Sequence, residues 1–287
     1  TLDLLLKSIH PLHEEIFRAS PLSYWWVGYQ TEWATDIVFK DEVMDFLLQE
    51  SPLPGVAFYE VFAPEPSLAE EVYRAVRRKV EAWRRREGKV NVGLSPHAPY
   101  SVSPPLLKRL AEWARAEGLP LMVHAAESPE EVAFLLRGEG PLREVYGRFA
   151  KTPWTPPGTT PVRHLHALGV LGPTTLLVHG VQVDEEEVGL LAETGTKVVL
   201  CPRSNRNLEV GEAPLALYAK HGVELALGTD SRGSSPDLDV KNEARFLWGR
   251  AEPRLLVRAL TRGGYRALGL PTPRLTRGTP LSLVHFL

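Results

Sequence analysis

The chain has a single cysteine, Cys201, in 287 residues, so no intramolecular disulfide can form and core burial has to hold the fold. Charge of one sign is also lacking. The 33 Lys and Arg nearly balance the 35 Asp and Glu, for a net charge of −2, which leaves no basic field to attract nucleic acid or an anionic membrane. The densest basic stretch, Arg77, Arg78, Lys79 and Arg84 to Arg86, shares its segment with Val72, Val76, Val80 and Trp83. That apolar spacing makes it the solvated face of an amphipathic helix. No apolar run approaches the roughly 20 residues that cross a bilayer, and no charged, apolar, small-residue leader opens the chain. The expected compartment is therefore the cytoplasm. A glycine-rich phosphate turn after an early strand is missing too, which removes the main sequence sign of an open dinucleotide-binding sheet.

What is present is alternation. Short apolar runs rich in β-branched residues fall at 36–39, 56–62, 90–95, 119–123, 175–178, 197–200 and 224–227. Segments with helical spacing fall at 41–50, 67–87, 104–117, 129–136, 161–170, 184–194, 213–221 and 238–248. Parallel strands joined by crossover helices produce this pattern. The expected fold class is α/β, a TIM-type (β/α)8 barrel at 1–269, with active-site residues at the C-terminal ends of its strands. Seven runs are one short of the eight that close such a barrel. Residues 138–160, with Pro141, Pro153, Pro156 and Pro157, read as an irregular loop over the barrel mouth.

Chemically capable residues stand directly after successive runs. The third leads into Pro96-His97-Ala98-Pro99-Tyr100, the fourth into His124-Ala125-Ala126-Glu127, the fifth into His179-Gly180, and the seventh into Gly228-Thr229-Asp230-Ser231. A lone histidine at a strand end is usually structural, but four such sites at one barrel mouth are not explained that way. Neutral imidazole and carboxylate are the donors that zinc or ferrous iron takes when a position must stay open for water. A carboxylate three residues beyond a ligand histidine can sit beside that water and ferry a proton.

These motifs, SPHAPYSVS at 95–103, VHAAES at 123–128, LLVHG at 176–180, CPRSN at 201–205 and GTDS at 228–231, resemble the metal-dependent amidohydrolases. The branch is the one containing cytosine, guanine, S-adenosylhomocysteine and aminodeoxyfutalosine deaminases, and the CPRSN form together with residues 154–157 and 161–171 is most similar to the last group. The resemblance implies hydrolytic deamination of a purine-type ring with one divalent metal ion, zinc ahead of iron. It implies that His124 and Asp230 are metal ligands, that Glu127 is a proton shuttle that also meets the substrate, and that His179 orients the attacking water. Asp230 would also take a proton from that water. His97, Arg203, Ser204 and Asn205 are implied to lie at the substrate, with Ser204 and Asn205 bonding either to the ring or to neighbouring side chains. Cys201 reads equally well as a small buried apolar residue.

The same resemblance implies a first strand ending in His-x-His, and no such pair precedes residue 36. The expectation is that this strand is absent from the chain and that 270–287 is a remnant of a small β-domain, whose apolar end could promote homo-oligomerisation. His164 and His166 have the right spacing, but on a helix they project about 200° apart and cannot share a metal. His10 and His13 match no motif. The alternatives are an amidohydrolase acting on another ring, as S-adenosylhomocysteine, guanine or triazine hydrolases do, or a metal-free barrel that only binds.

Overall fold

All seven apolar runs become strands in the computed structural model, which describes residues 34–51, 53–270 and 272. They are β1 Ala34–Val38, β2 Gly55–Val61, β3 Val90–Pro96, β4 Leu121–Ala125, β5 Thr175–His179, β6 Lys197–Leu200 and β7 Leu225–Leu227. Every pairing is parallel and the spatial order is the chain order, so the sheet curls as the greater part of a (β/α) barrel. Both faces of such strands are covered. That is why β2 is apolar almost throughout instead of alternating.

The helices are α1 Asp41–Glu50, α2 Ala69–Arg84, α3 Pro104–Glu117, α4 Pro129–Arg137, α5 Leu142–Phe149, α6 Pro161–Ala167, α7 Glu185–Thr194, α8 Pro202–Asn207, α9 Leu215–His221, α10 Val240–Phe246, α11 Pro253–Arg258 and α12 Gly264–Ala267. Proline opens α3, α4, α6, α8 and α11, where its missing N–H costs nothing. α7 starts on a reciprocal capping box between Asp184 and Glu187. α2 buries Tyr73, Val76, Val80 and Trp83 and leaves Arg77, Arg78, Arg85 and Arg86 in solvent, so the basic run is a solvated face.

Burial falls in two layers. The larger lies between helices and sheet and joins Val76, Val80 and Trp83 to Leu106, Leu107, Leu110, Leu94 and Val123. The smaller fills the barrel interior with Val56, Phe58, Met122, Leu176, Val178, Cys201 and Ala226. Gly93 makes room there, because a Cβ on it would stand 2.4 Å from Cδ1 of Phe58. Cys201 is accordingly a buried apolar residue, and burial drives its thiol pKa well up.

One local expectation changes. Residues 138–160 are not wholly irregular, since α5 begins directly after Pro141. Its Tyr146 packs with Phe134 of α4 and Trp154. Most of the CPRSN segment lies on a short helix, α8, which Cys201 caps. His10 and His13, and residues 273–287 of the expected β-domain remnant, lie outside the described residues. No helix among the described residues is long and apolar enough to cross a membrane.

Candidate active site

The C-terminal ends of β2 and β4 are stitched to His97, which lies just past β3. The backbone N–H of His97 donates to the Val61 carbonyl at 3.0 Å, and the His97 carbonyl accepts from the backbone N–H of His124 at 2.8 Å. That same carbonyl accepts from Nδ1 of His124 at 3.0 Å. Since a carbonyl can only accept, Nδ1 carries the proton and Nε2 is left bare, the state in which imidazole binds a metal. His97 is turned by its own contact, Nδ1 to the Ser101 hydroxyl at 2.6 Å. Burial holds both rings neutral, moving His97 down to about 3 and His124 to about 4; the neighbouring imidazoles add to the lowering, His124 and His179 for His97 and His179 for His124.

The sharp ends of β4, β5 and β7 place the remaining groups. Among the described residues four non-glycine positions have positive φ, and three of them, Ala126, His179 and Asp230, belong to this site. Such strain persists where surrounding structure fixes it, and it gathers at functional sites. His179 is buried, with Nδ1 at 2.9 Å from Oδ1 of Asn205 and Nε2 at 3.6 Å from Oε1 of Glu127. The turn that carries Glu127 is tied down by Glu131, whose Oε2 accepts the Glu127 backbone N–H at 2.8 Å. Burial raises the Glu127 carboxyl, Asp230 adds to the rise and His179 opposes it, the direction that favours its protonated form.

Asp230 is treated in the opposite way. Its Oδ2 accepts from the hydroxyls of Ser204 at 2.6 Å and Ser234 at 3.0 Å, and its Oδ1 from the Ser231 N–H at 2.7 Å. Burial pushes it up, but His179, these donors and His124 outweigh that and leave it below the usual carboxylate range. Two carboxylates in one mouth are thus driven apart, one towards holding a proton and one towards staying ionised, the separation that acid and base roles need.

The structure therefore gathers His97, His124, Glu127, His179 and Asp230, with ring centroids 5.2 Å apart for His97 and His124 and 5.7 Å for His124 and His179. Ser204 and Asn205 take the neighbouring-side-chain option, gripping Asp230 and His179. Arg203 is engaged by two acids of the chain. Its Nε donates to Glu243 at 2.7 Å and its NH1 to Asp237 at 2.8 Å, and the side chain is 8% exposed, so the guanidinium brackets α8 against α10. His164 and His166 both sit on α6, one buried and one exposed, as the helix geometry requires.

Glu60 was not singled out from the sequence. It lies in β2, burial raises its carboxyl to about 7, and its oxygen and one nitrogen each of His97 and His124 all fall within 4.8 Å of one another. The available signal was one acid inside an apolar run. Glu60, His97 and His124 thus bring one oxygen and two nitrogens together, a donor set that fits a divalent cation such as zinc.

These features define the class. The chain belongs to the amidohydrolase family, whose model matches residues 34–286, a family whose members bind a divalent metal. Among its relatives, it is 44% identical over 260 residues to an aminodeoxyfutalosine deaminase of Deinococcus radiodurans, covering 85% of this chain and 61% of that one. It is 33% identical to a 5-methylthioadenosine/S-adenosylhomocysteine deaminase of Syntrophobacter fumaroxidans, over 75% of this chain and 47% of the relative. The chain thus spans about half to three-fifths of the length of these relatives. In structure it resembles the aminofutalosine deaminase of Helicobacter pylori, with a TM-score of 0.72, 27% identity, and 82% of this chain and 60% of that one covered. A zinc-bound adenosine deaminase from Xanthomonas campestris gives a TM-score of 0.67 at 25% identity, over 83% and 53% of the two chains.

Proposed function

We propose that the chain carries the catalytic residues of a hydrolytic deaminase that replaces the exocyclic amine of a purine-type ring by oxygen, with an adenine nucleoside of the aminodeoxyfutalosine kind as the first candidate substrate and zinc as the metal. The observation that carries this reading is the pairing of Glu127 with the fixed imidazole of His179 at 3.6 Å, beside an ionised Asp230. A divalent cation held by His124 and Asp230 would supply Lewis acidity that makes water nucleophilic near neutral pH. The chain's own groups do the rest. Asp230 accepts a proton from the attacking water, and His179, aimed by Asn205, orients that water. Glu127 delivers a proton to the ring nitrogen beside the carbon under attack. Left as a carboxylate, Glu127 takes the proton of the hydroxyl now on that carbon and passes it to the amine. The C–N bond breaks as the carbonyl forms and ammonia leaves, after which the proton on Asp230 returns to Glu127. His97, turned by Ser101, lies at the substrate face.

The name of the Deinococcus relative and the Helicobacter structure obtained with methylthio-coformycin support a purine-type substrate. Ammonia release measured over a panel of adenine and guanine nucleosides tests the proposal. Metal-dependent release from an adenine nucleoside is the expected result. A metal-replete protein that releases none, or that hydrolyses a triazine instead, would overturn it.

A further inference from the structure

His179 stands on a backbone shape that its residue type disfavours. Its φ is 75° and that of Gly180 is 55°, two successive left-handed residues of which the glycine alone escapes a Cβ penalty. Such a turn persists where its surroundings over-determine it. On one side its donors are taken up by the end of β4 and the residue after it. The Gly180 N–H donates to the Ala125 carbonyl at 3.2 Å, and the Val181 and Gln182 N–H groups both donate to the Ala126 carbonyl at 2.7 Å. Ala126 is itself left-handed, at φ 54°, and the next residue is Glu127. The turn that aims the imidazole and the turn that aims the carboxyl are therefore one hydrogen-bonded unit.

The other side of that unit is closed from outside the mouth. Tyr218 of α9 donates its hydroxyl to the Gly180 carbonyl at 2.6 Å. The tyrosine is fully buried, in the layer between helices and sheet, so a carbonyl deprived of this donor would be left unsatisfied. Burial also drives the phenol pKa far up, with Glu187 adding to the rise, which keeps the group a donor. The fit is close, since a Cβ on Gly180 would stand 2.4 Å from the Tyr218 oxygen.

We infer that Tyr218 is a positioning residue for the deamination, its hydroxyl holding the His179–Gly180 turn and, through the shared Ala126 carbonyl, the Glu127 turn. Asn205 fixes the His179 ring by its Nδ1, whereas Tyr218 fixes the backbone from which that ring projects. Together they keep Nε2 of His179 at 3.6 Å from Glu127. The inference rests on the deaminase reading for the reaction affected, while the placement of His179 can be read without turnover.

The test is Tyr218→Phe in the zinc-loaded protein, which keeps the ring and removes one oxygen. An unsatisfied buried acceptor corresponds to a factor of about 5–150, so kcat for adenosine should fall within that range while KM and zinc content stay near those of the parent. In a His179→Ala background the same change should leave the residual kcat unaltered, because the ring it positions is gone. A tyrosine that merely supports the fold would slow both backgrounds alike. The imidazole NMR signal of His179, assigned by its absence in His179→Ala, should shift or split in Tyr218→Phe, while that of the exposed His166 stays in place. Gly180→Ala disturbs the same contact from the carbonyl side and should give the same pattern. Parent-level kcat, an unmoved His179 signal, or an equal loss in the His179→Ala background would each overturn the inference and leave the deaminase reading standing. Absence of ammonia release from every nucleoside by the parent would overturn that reading, and the His179 signal would then decide by itself whether Tyr218 holds the histidine.

Discussion

Replacing Arg203 by Met separates two readings of the CPRSN motif. In the structure the Arg203 side chain is 8% exposed and its partner Glu243 is 0% exposed. The Glu243 carboxylate accepts from Nε at 2.7 Å and from the Arg203 backbone N–H at 3.0 Å. Removing one member of a buried pair typically costs about 3–5 kcal/mol, because the other charge is left uncompensated. The Asp237 half is 37% exposed, and exposed pairs contribute only about 0–1 kcal/mol. The backbone donor to Glu243 survives the substitution, so the loss should fall near the lower end, about 3 kcal/mol. Urea unfolding reads this as a lowered midpoint at unchanged slope. A second change, Glu243→Leu in the Arg203→Met background, should recover much of the loss by removing the stranded charge. If Arg203→Met stays within about 1 kcal/mol of the parent while KM for a nucleoside rises sharply, the guanidinium is a substrate contact and the bracket assignment is wrong.

Asn205→Ala should keep the metal but lower kcat about 10–100-fold, the usual effect of losing an outer partner that orients a site histidine, and Asn205→Asp, which keeps the acceptor, should restore most of it. Equal kcat in all three would show that His179 is oriented by something else. Glu65 gives a pH prediction. Thr152, through its hydroxyl and N–H, with Ser67 and Lys151, holds this carboxyl at about 2, below its unfolded value of about 4.3. The stabilisation is therefore complete above that unfolded value and is lost as pH falls towards about 2. Hydrogen-exchange protection at the Lys151 and Thr152 amides should drop across that window in the parent and stay flat in Glu65→Gln. Acid sensitivity that persists in the variant would place its cause elsewhere.

Much of this arrangement was legible because parallel strands buried on both faces are continuous apolar runs and barrels collect chemistry where those runs end. His97, His124, His179 and Asp230 could be read on that basis. The strand expected at 119–123 instead begins at Leu121, because Pro120 has no N–H to give the ladder. α5 was hidden for the opposite reason. In the sequence Pro141 signals a break, whereas in the structure it opens a helix, and the aromatic cluster that stabilises that helix joins residues of separate segments. Glu60 looked like part of a strand and Arg203 like part of a binding motif. Only the positions of His97 and His124, and of Asp237 and Glu243, show what each side chain meets.

The central claim is that Glu127 moves the proton in a hydrolytic deamination, and the direct measurement is ammonia release by Glu127→Gln at matched zinc content and saturating nucleoside. A positioned proton shuttle contributes about 10²–10⁴-fold to rate, and the amide cannot deliver a proton to the ring. The account predicts a loss in that range with zinc content and nucleoside affinity close to those of the parent. Turnover near the parent level at equal zinc content would contradict it.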